Sequence, residues 1–112
     1  MKDLTYDPAR ALELMPLLSS IGREIEERSP LLAGIEERVE QLSRDPLAES
    51  ALLRSLVAEA ATHRREIRAC RSELERLGCS ILGTTPLTIR IPTREGDAKK
   101  SLVWRRRPRV RD

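Results

Sequence analysis

Aromatic side chains are almost missing from this sequence, which has no phenylalanine, one tyrosine (Tyr6) and one tryptophan (Trp104). That scarcity argues against a β-sandwich, whereas a 35% charged content suits long, solvated helices. Cysteine is scarce as well. Cys70 and Cys79 can pair only once, too few for a disulfide framework, and both read as free thiols. No apolar run approaches the roughly 18 residues of a membrane span, and the stretch 1–7 lacks the apolar core of a secretory signal. These absences lead to the expectation of a cytoplasmic protein without a membrane partner. Glycine is also sparse, and Gly22, Gly34, Gly78, Gly83 and Gly96 match neither spacing of the nucleotide-binding loops. At 112 residues the chain is the size of a single domain, spanning 1–112.

What the sequence does have is charge, unevenly distributed. After Gly78, nine basic residues face three acidic ones, so that the net +3 of the whole chain conceals a positive C-terminal part and a negative body. Such an asymmetry implies either an anionic partner for the C-terminus or pairing between tail and body.

Asp7 and Pro8 form a helix start, with the carboxylate able to accept from free first-turn amides and proline fitting the first helical position. From there Leu14, Leu18, Ile21, Ile25, Leu32, Ile35, Val39 and Leu42 recur in steps of three and four, the a/d spacing of a coiled coil. Pro16 and Pro30 each remove a backbone donor and should kink the helix, but the apolar phase continues through both. A fresh helix capped at Ser29-Pro30 is the alternative. The first helix is thus expected over about 8–43. Ser43-Arg44-Asp45-Pro46 supplies turn chemistry, and a second helix over about 46–77 follows, with a seam of Leu53, Leu56, Ala60, His63, Ile67, Cys70, Leu74 and Leu77 before Gly78.

Folding these helices back on one another pairs their seams in one register: Val39 with Leu53, Ile35 with Leu56, Leu32 with Ala60, Ile25 with Ile67, and Leu18 with Leu74. In that register the polar positions Arg28 and His63 fall in the same layer. They either fix register, with Glu24 and Glu59 available to neutralise charge, or reach past the seam to water. Met15, Leu17, Leu31, Leu52, Val57 and Ala61 widen the apolar stripe beyond what two helices cover. The expected architecture is mainly α, a long antiparallel two-helix coiled-coil hairpin that self-associates, most simply as a homodimer.

Helical periodicity stops after Cys79. Leu87-Thr88-Ile89-Arg90-Ile91 alternates, Glu95-Gly96-Asp97 reads as a turn, and Ser101–Arg105 reads as a returning strand, giving a β-hairpin over about 87–105 and a basic tail over 106–112.

Several landmarks stand out together: Tyr6-Asp7-Pro8 opening a helix that runs through Ala11-Leu12 to Leu14-Met15-Pro16, Leu77-Gly78-Cys79 closing the second helix, Ile91-Pro92 ending a strand, Gly96 in a turn, and Val103-Trp104-Arg105. In this combination the chain resembles an uncharacterised prokaryotic family, domain of unknown function 2203. The resemblance implies no activity, because the family has none assigned. It does expose departures: Arg90 stands where the family usually has Asp, Leu82-Gly83 replaces a Lys-Asp pair, and a later Trp-His segment is missing. A polar site built from those family residues is therefore not expected here.

No catalytic constellation is apparent. His63 is the only histidine and lies on a helical seam, and Cys70 is two turns away, about 10 Å along the helix, too far to share a metal. Cys79 sits at a helix C-terminus, whose negative potential raises a thiol pKa. The glutamates occur with arginines at helical pair spacings, as on a solvated face, and no Glu-x-x-His metal motif is present. The sequence therefore implies no enzyme activity, no metal site and no cofactor. The remaining candidates are Lys99, Lys100, Arg105, Arg106, Arg107, Arg109 and Arg111, which can grip phosphates, with Trp104 offered for base stacking. The competing reading has Trp104 packed on the helices and the cations solvated. An interaction or structural protein is the primary expectation, and a nucleic-acid-binding accessory protein the alternative.

Overall fold

The structure, a computed structural model, describes residues 5–105. Its elements are α1 (Pro8–Glu13), α2 (Met15–Ser43), α3 (Ser50–Arg76), β1 (Ser80–Thr84), β2 (Leu87–Glu95) and β3 (Ala98–Arg105). Two long helices thus precede a three-stranded antiparallel sheet of order β1-β2-β3. The chain divides into two compact units, one made of residues up to Arg23 and from Arg71 onward, the other of Glu24–Cys70.

The first helix starts as its sequence requires, with the Asp7 carboxylate accepting from the Arg10 amide at 2.9 Å and Pro8 in the first turn. It does not run unbroken over 8–43. Pro16 has no N–H to offer Leu12, and the amide of Leu14 bonds instead to Ala11 at 3.2 Å, so α1 ends there and α2 begins at Met15. Pro30, by contrast, lies inside α2.

The second long helix starts at Ser50 rather than near Pro46. Asp45 accepts from the Leu47 amide with its side chain and from Ala48 with its carbonyl, closing a turn over residues that helix would otherwise claim. Its far end is a Schellman cap. Gly78 adopts φ 76°, Cys79 N–H donates to Leu74 and Gly78 N–H to Glu75, both at 2.9 Å, and the accompanying apolar pair, Cys79 and Leu74, is buried.

A β-hairpin alone is incorrect for the C-terminal part, because β1 precedes it and pairs with β2. Register shifts between Ile81 and Gly83, a bulge that interrupts the alternation a strand normally shows in sequence. Between β2 and β3 the turn is two residues long, Gly96-Asp97, with Gly96 at φ 58° as a tight antiparallel connection needs. Leu87, Ile89, Ile91 and Thr93 of β2 are buried on one face. With α1 against β2, and with Ala11, Leu18, Leu74 and Cys79 also buried, these residues form the core of the first unit.

In the second unit, Arg28 of α2 meets His63 of α3 at 3.2 Å, and Arg64 pairs with Glu36 at 3.2 Å. Seam residues there are covered only in part: Leu32, Ile35, Val39, Leu42, Leu53 and Leu56 are half-buried, while Ile25 and Ala60 are buried.

Candidate functional site

The polar layer of the second unit is built from three side chains. Arg28 donates through Nη1 to His63 Nδ1 at 3.2 Å and through Nε to Glu24 Oε1 at 3.2 Å, one helical turn away. A guanidinium has no lone pair to accept with, so the bond assigns the proton of a neutral His63 ring to Nε2. Glu24 therefore balances the arginine, while Glu59 is exposed on α3. A base on substrate would need a free lone pair over a pocket, and here the Nδ1 lone pair is engaged by Arg28.

In the first unit, Tyr6 joins three segments. Its amide donates to Pro92 at 3.0 Å and its carbonyl accepts from Arg94 at 2.9 Å, prolonging the β1 side of β2 by one parallel bridge. Its hydroxyl donates to the Leu77 carbonyl at 2.8 Å, satisfying an acceptor that the end of a helix leaves without an intrahelical partner. Burial pushes the Tyr6 hydroxyl above its ordinary pKa, with the nearby Cys79 thiolate adding to the shift, and burial likewise pushes the Cys79 thiol up. Desolvation is the cause for Cys79, where the sequence had suggested the helix terminus. A raised thiol pKa means little thiolate at neutral pH, and the Cys79 side chain is buried in the core of the first unit.

These shifts fix a pH dependence. The unfolded chain loses the two protons first, so their contribution to stability is complete below the ordinary thiol pKa and declines as pH rises through it towards the folded values. Urea denaturation midpoints from pH 7 to 10 should fall at the alkaline end, and Cys79→Ala should flatten that fall.

Among the described residues, the cations singled out in the sequence, Lys99, Lys100 and Arg105, do not share one face. Trp104 donates from Nε1 to Ser19 Oγ at 3.0 Å and its ring lies over Gly22 of α2, so the indole is engaged by the fold and not presented for base stacking. Lys100 pairs with Glu95 at 2.9 Å and lies opposite Thr93, on the face of the sheet that carries Ile89 and Ile91. Lys99 and Arg105 lie opposite Arg94 and Thr88, on the other face. Arg106, Arg107, Arg109 and Arg111 lie outside the described residues. Two cations not selected from sequence, Arg90 and Arg94, share the outward face with Lys99 and Arg105. The alternation of β2 already encoded their direction, but joining them to Lys99 and Arg105 required the β2–β3 register.

Among the described residues, no group of three or more His, Cys, Asp or Glu could hold a metal ion. No described helix is long and apolar enough to cross a membrane. A family model described as "Uncharacterized conserved protein (DUF2203)" matches residues 5–107. No curated protein and no solved structure gives a significant match.

Proposed function

We propose, from the premise that the chain belongs to the DUF2203 family, that it is a non-catalytic interaction protein whose helices form an antiparallel coiled-coil hairpin and self-associate as a homodimer in the cytoplasm. The observation that carries this reading is the half-covered seam of residues 24–70. Leu32, Ile35, Val39, Leu42, Leu53 and Leu56 keep part of their surface in water, and Leu31, Leu52 and Val57 beside them are exposed. Each large apolar side chain gains about 1.5–3 kcal/mol on full burial, so a second copy laid along this face recovers stabilisation that two helices alone leave unrealised. The Arg28–His63 layer favours a single register between the two helices of each copy, because a polar pair tolerates only the alignment that satisfies it.

Sedimentation velocity over a hundredfold concentration range tests the reading. The expected result is a concentration-dependent dimer that Leu31→Glu with Val57→Glu converts to monomer while helical circular dichroism persists. A monomer throughout the range defeats it. Replacing Arg28 and His63 together by leucine is expected to raise stability by about 1 kcal/mol while loosening the register or the choice of oligomer, since leucine avoids the partial desolvation of a half-buried polar pair.

A further inference from the structure

The outward face of the sheet carries charge of a single sign. Read along β2 and across to β3, its positions are Thr88 opposite Arg105, Arg90 opposite Val103, Pro92 opposite Ser101, and Arg94 opposite Lys99. Arg90, Arg94, Lys99 and Arg105 are all exposed, and no position of this face holds a carboxylate. Among the described residues, no hydrogen bond or ion pair engages the side chains of Arg90, Arg94 or Arg105. The acid at this end of the sheet, Glu95, is engaged by Lys100.

The spacing is as informative as the sign. Arg90 and Arg94 are four residues apart on one strand, about 13 Å, and Lys99 lies beside Arg94 at about 5 Å between Cα atoms. Arg105 extends the row one same-face step beyond Arg90, so the cations stretch along roughly 20 Å of pleated surface. Three of the four are arginines, whose planar fork matches phosphate, and Thr88 and Ser101 add neutral hydroxyls. No aromatic side chain lies on this face, since Trp104 is turned to the other side.

We propose that this sheet face binds the sugar-phosphate backbone of a nucleic acid without reading its bases. A linear anion with regularly spaced phosphates meets all four cations at once, which a small anion cannot do. Arg, Lys, Ser and Thr are the side chains that make backbone contacts, and the lack of a stacking ring removes the usual means of holding a splayed base. The site is independent of self-association through the helices and of the residues that follow Arg105.

The test is fluorescence anisotropy of labelled 20-mer oligonucleotides, single- and double-stranded, titrated with the full-length chain over a salt series. Two face variants, Arg90→Gln with Arg94→Gln and Lys99→Gln with Arg105→Gln, are compared with a tail variant in which Arg106, Arg107, Arg109 and Arg111 are glutamine. Four phosphate contacts give a face contribution to the slope of log affinity against log salt of about −3 for a single strand, and each face variant should lose about half of it. The expected loss in affinity is about tenfold or more at low salt, with the same loss when either face variant is combined with the tail variant, and little difference between oligonucleotides of different sequence. Circular dichroism and Trp104 fluorescence identify a variant that has not folded, and the other pair then decides. Wild-type affinity and slope in a folded face variant overturn the proposal, whatever the tail variant does. So does an absence of binding by the unmodified chain at 50 mM salt, and so does binding of a glutamate-rich peptide in preference to oligonucleotides.

Discussion

Replacing Trp104 by alanine should lower stability by about 3 kcal/mol, equivalent to a fall in Tm on the order of 15 °C for a chain of this size. The indole is the largest side chain in the first unit, and its loss removes both the packing over Gly22 and the bond to Ser19. The reason glycine occupies position 22 is visible in the same contact. A Cβ built there would sit 2.5 and 2.9 Å from two atoms of the ring, closer than carbon atoms pack. The ring cannot swing away cheaply, because its nitrogen is bonded to Ser19 and its backbone belongs to β3. Gly22→Ala should therefore destabilise by about 1–3 kcal/mol despite alanine's better helix propensity. Gly34, in the same helix, has nothing within 4 Å of such a Cβ, and Gly34→Ala should stabilise by about 0.5–1 kcal/mol. Paired thermal melts of the two alanine variants read this contrast directly, and equal shifts would mean the ring does not rest on Gly22.

The second large effect is expected at Ile89. It is 0% exposed, in the middle strand, opposite Ile81 of β1 and Trp104 of β3. Truncation to alanine removes three carbons from a site whose neighbours are fixed by ladders on both sides, so little collapse is available and the cost should be about 3 kcal/mol. Val103→Ala, on the outward face of the same sheet, should change stability by less than about 0.5 kcal/mol. Urea titrations monitored through Trp104 fluorescence separate the two. Because Ile89 and Trp104 are cross-strand partners, the combined Ile89→Ala, Trp104→Ala variant should lose less than the sum of the single losses.

The helices were largely legible in the sequence because their signals are local and repeated. The Asp7 cap, the Gly78 stop and the apolar seam each depend on residues within a turn or two of one another. The boundaries that differed did so where a local competitor prevailed, with Leu14 bonding to Ala11 ahead of Pro16 and the Asp45 side chain holding the turn before Ser50. The strand β1 escaped notice because it is five residues long and its alternation is broken at Gly83, leaving only Ile81 to suggest a buried face. The cationic face was the least legible. Each of its residues is ordinary on its own strand, and only the register set by the Gly96-Asp97 turn places Lys99 beside Arg94 and separates both from Lys100.

Tyr6 bonds to Pro92 and Arg94, and its hydroxyl reaches Leu77, so the first unit is stitched together by partners more than seventy residues apart in sequence. On the ribosome, where a chain emerges from its N-terminus, those bonds must wait until β2 has left the exit tunnel, by which time residues 24–70 are already out. Long-range closure is also slow, because the ordering of the intervening chain precedes the contacts that reward it. The helical segment is thus free to organise first during synthesis, and the sheet with its outward cations is completed last.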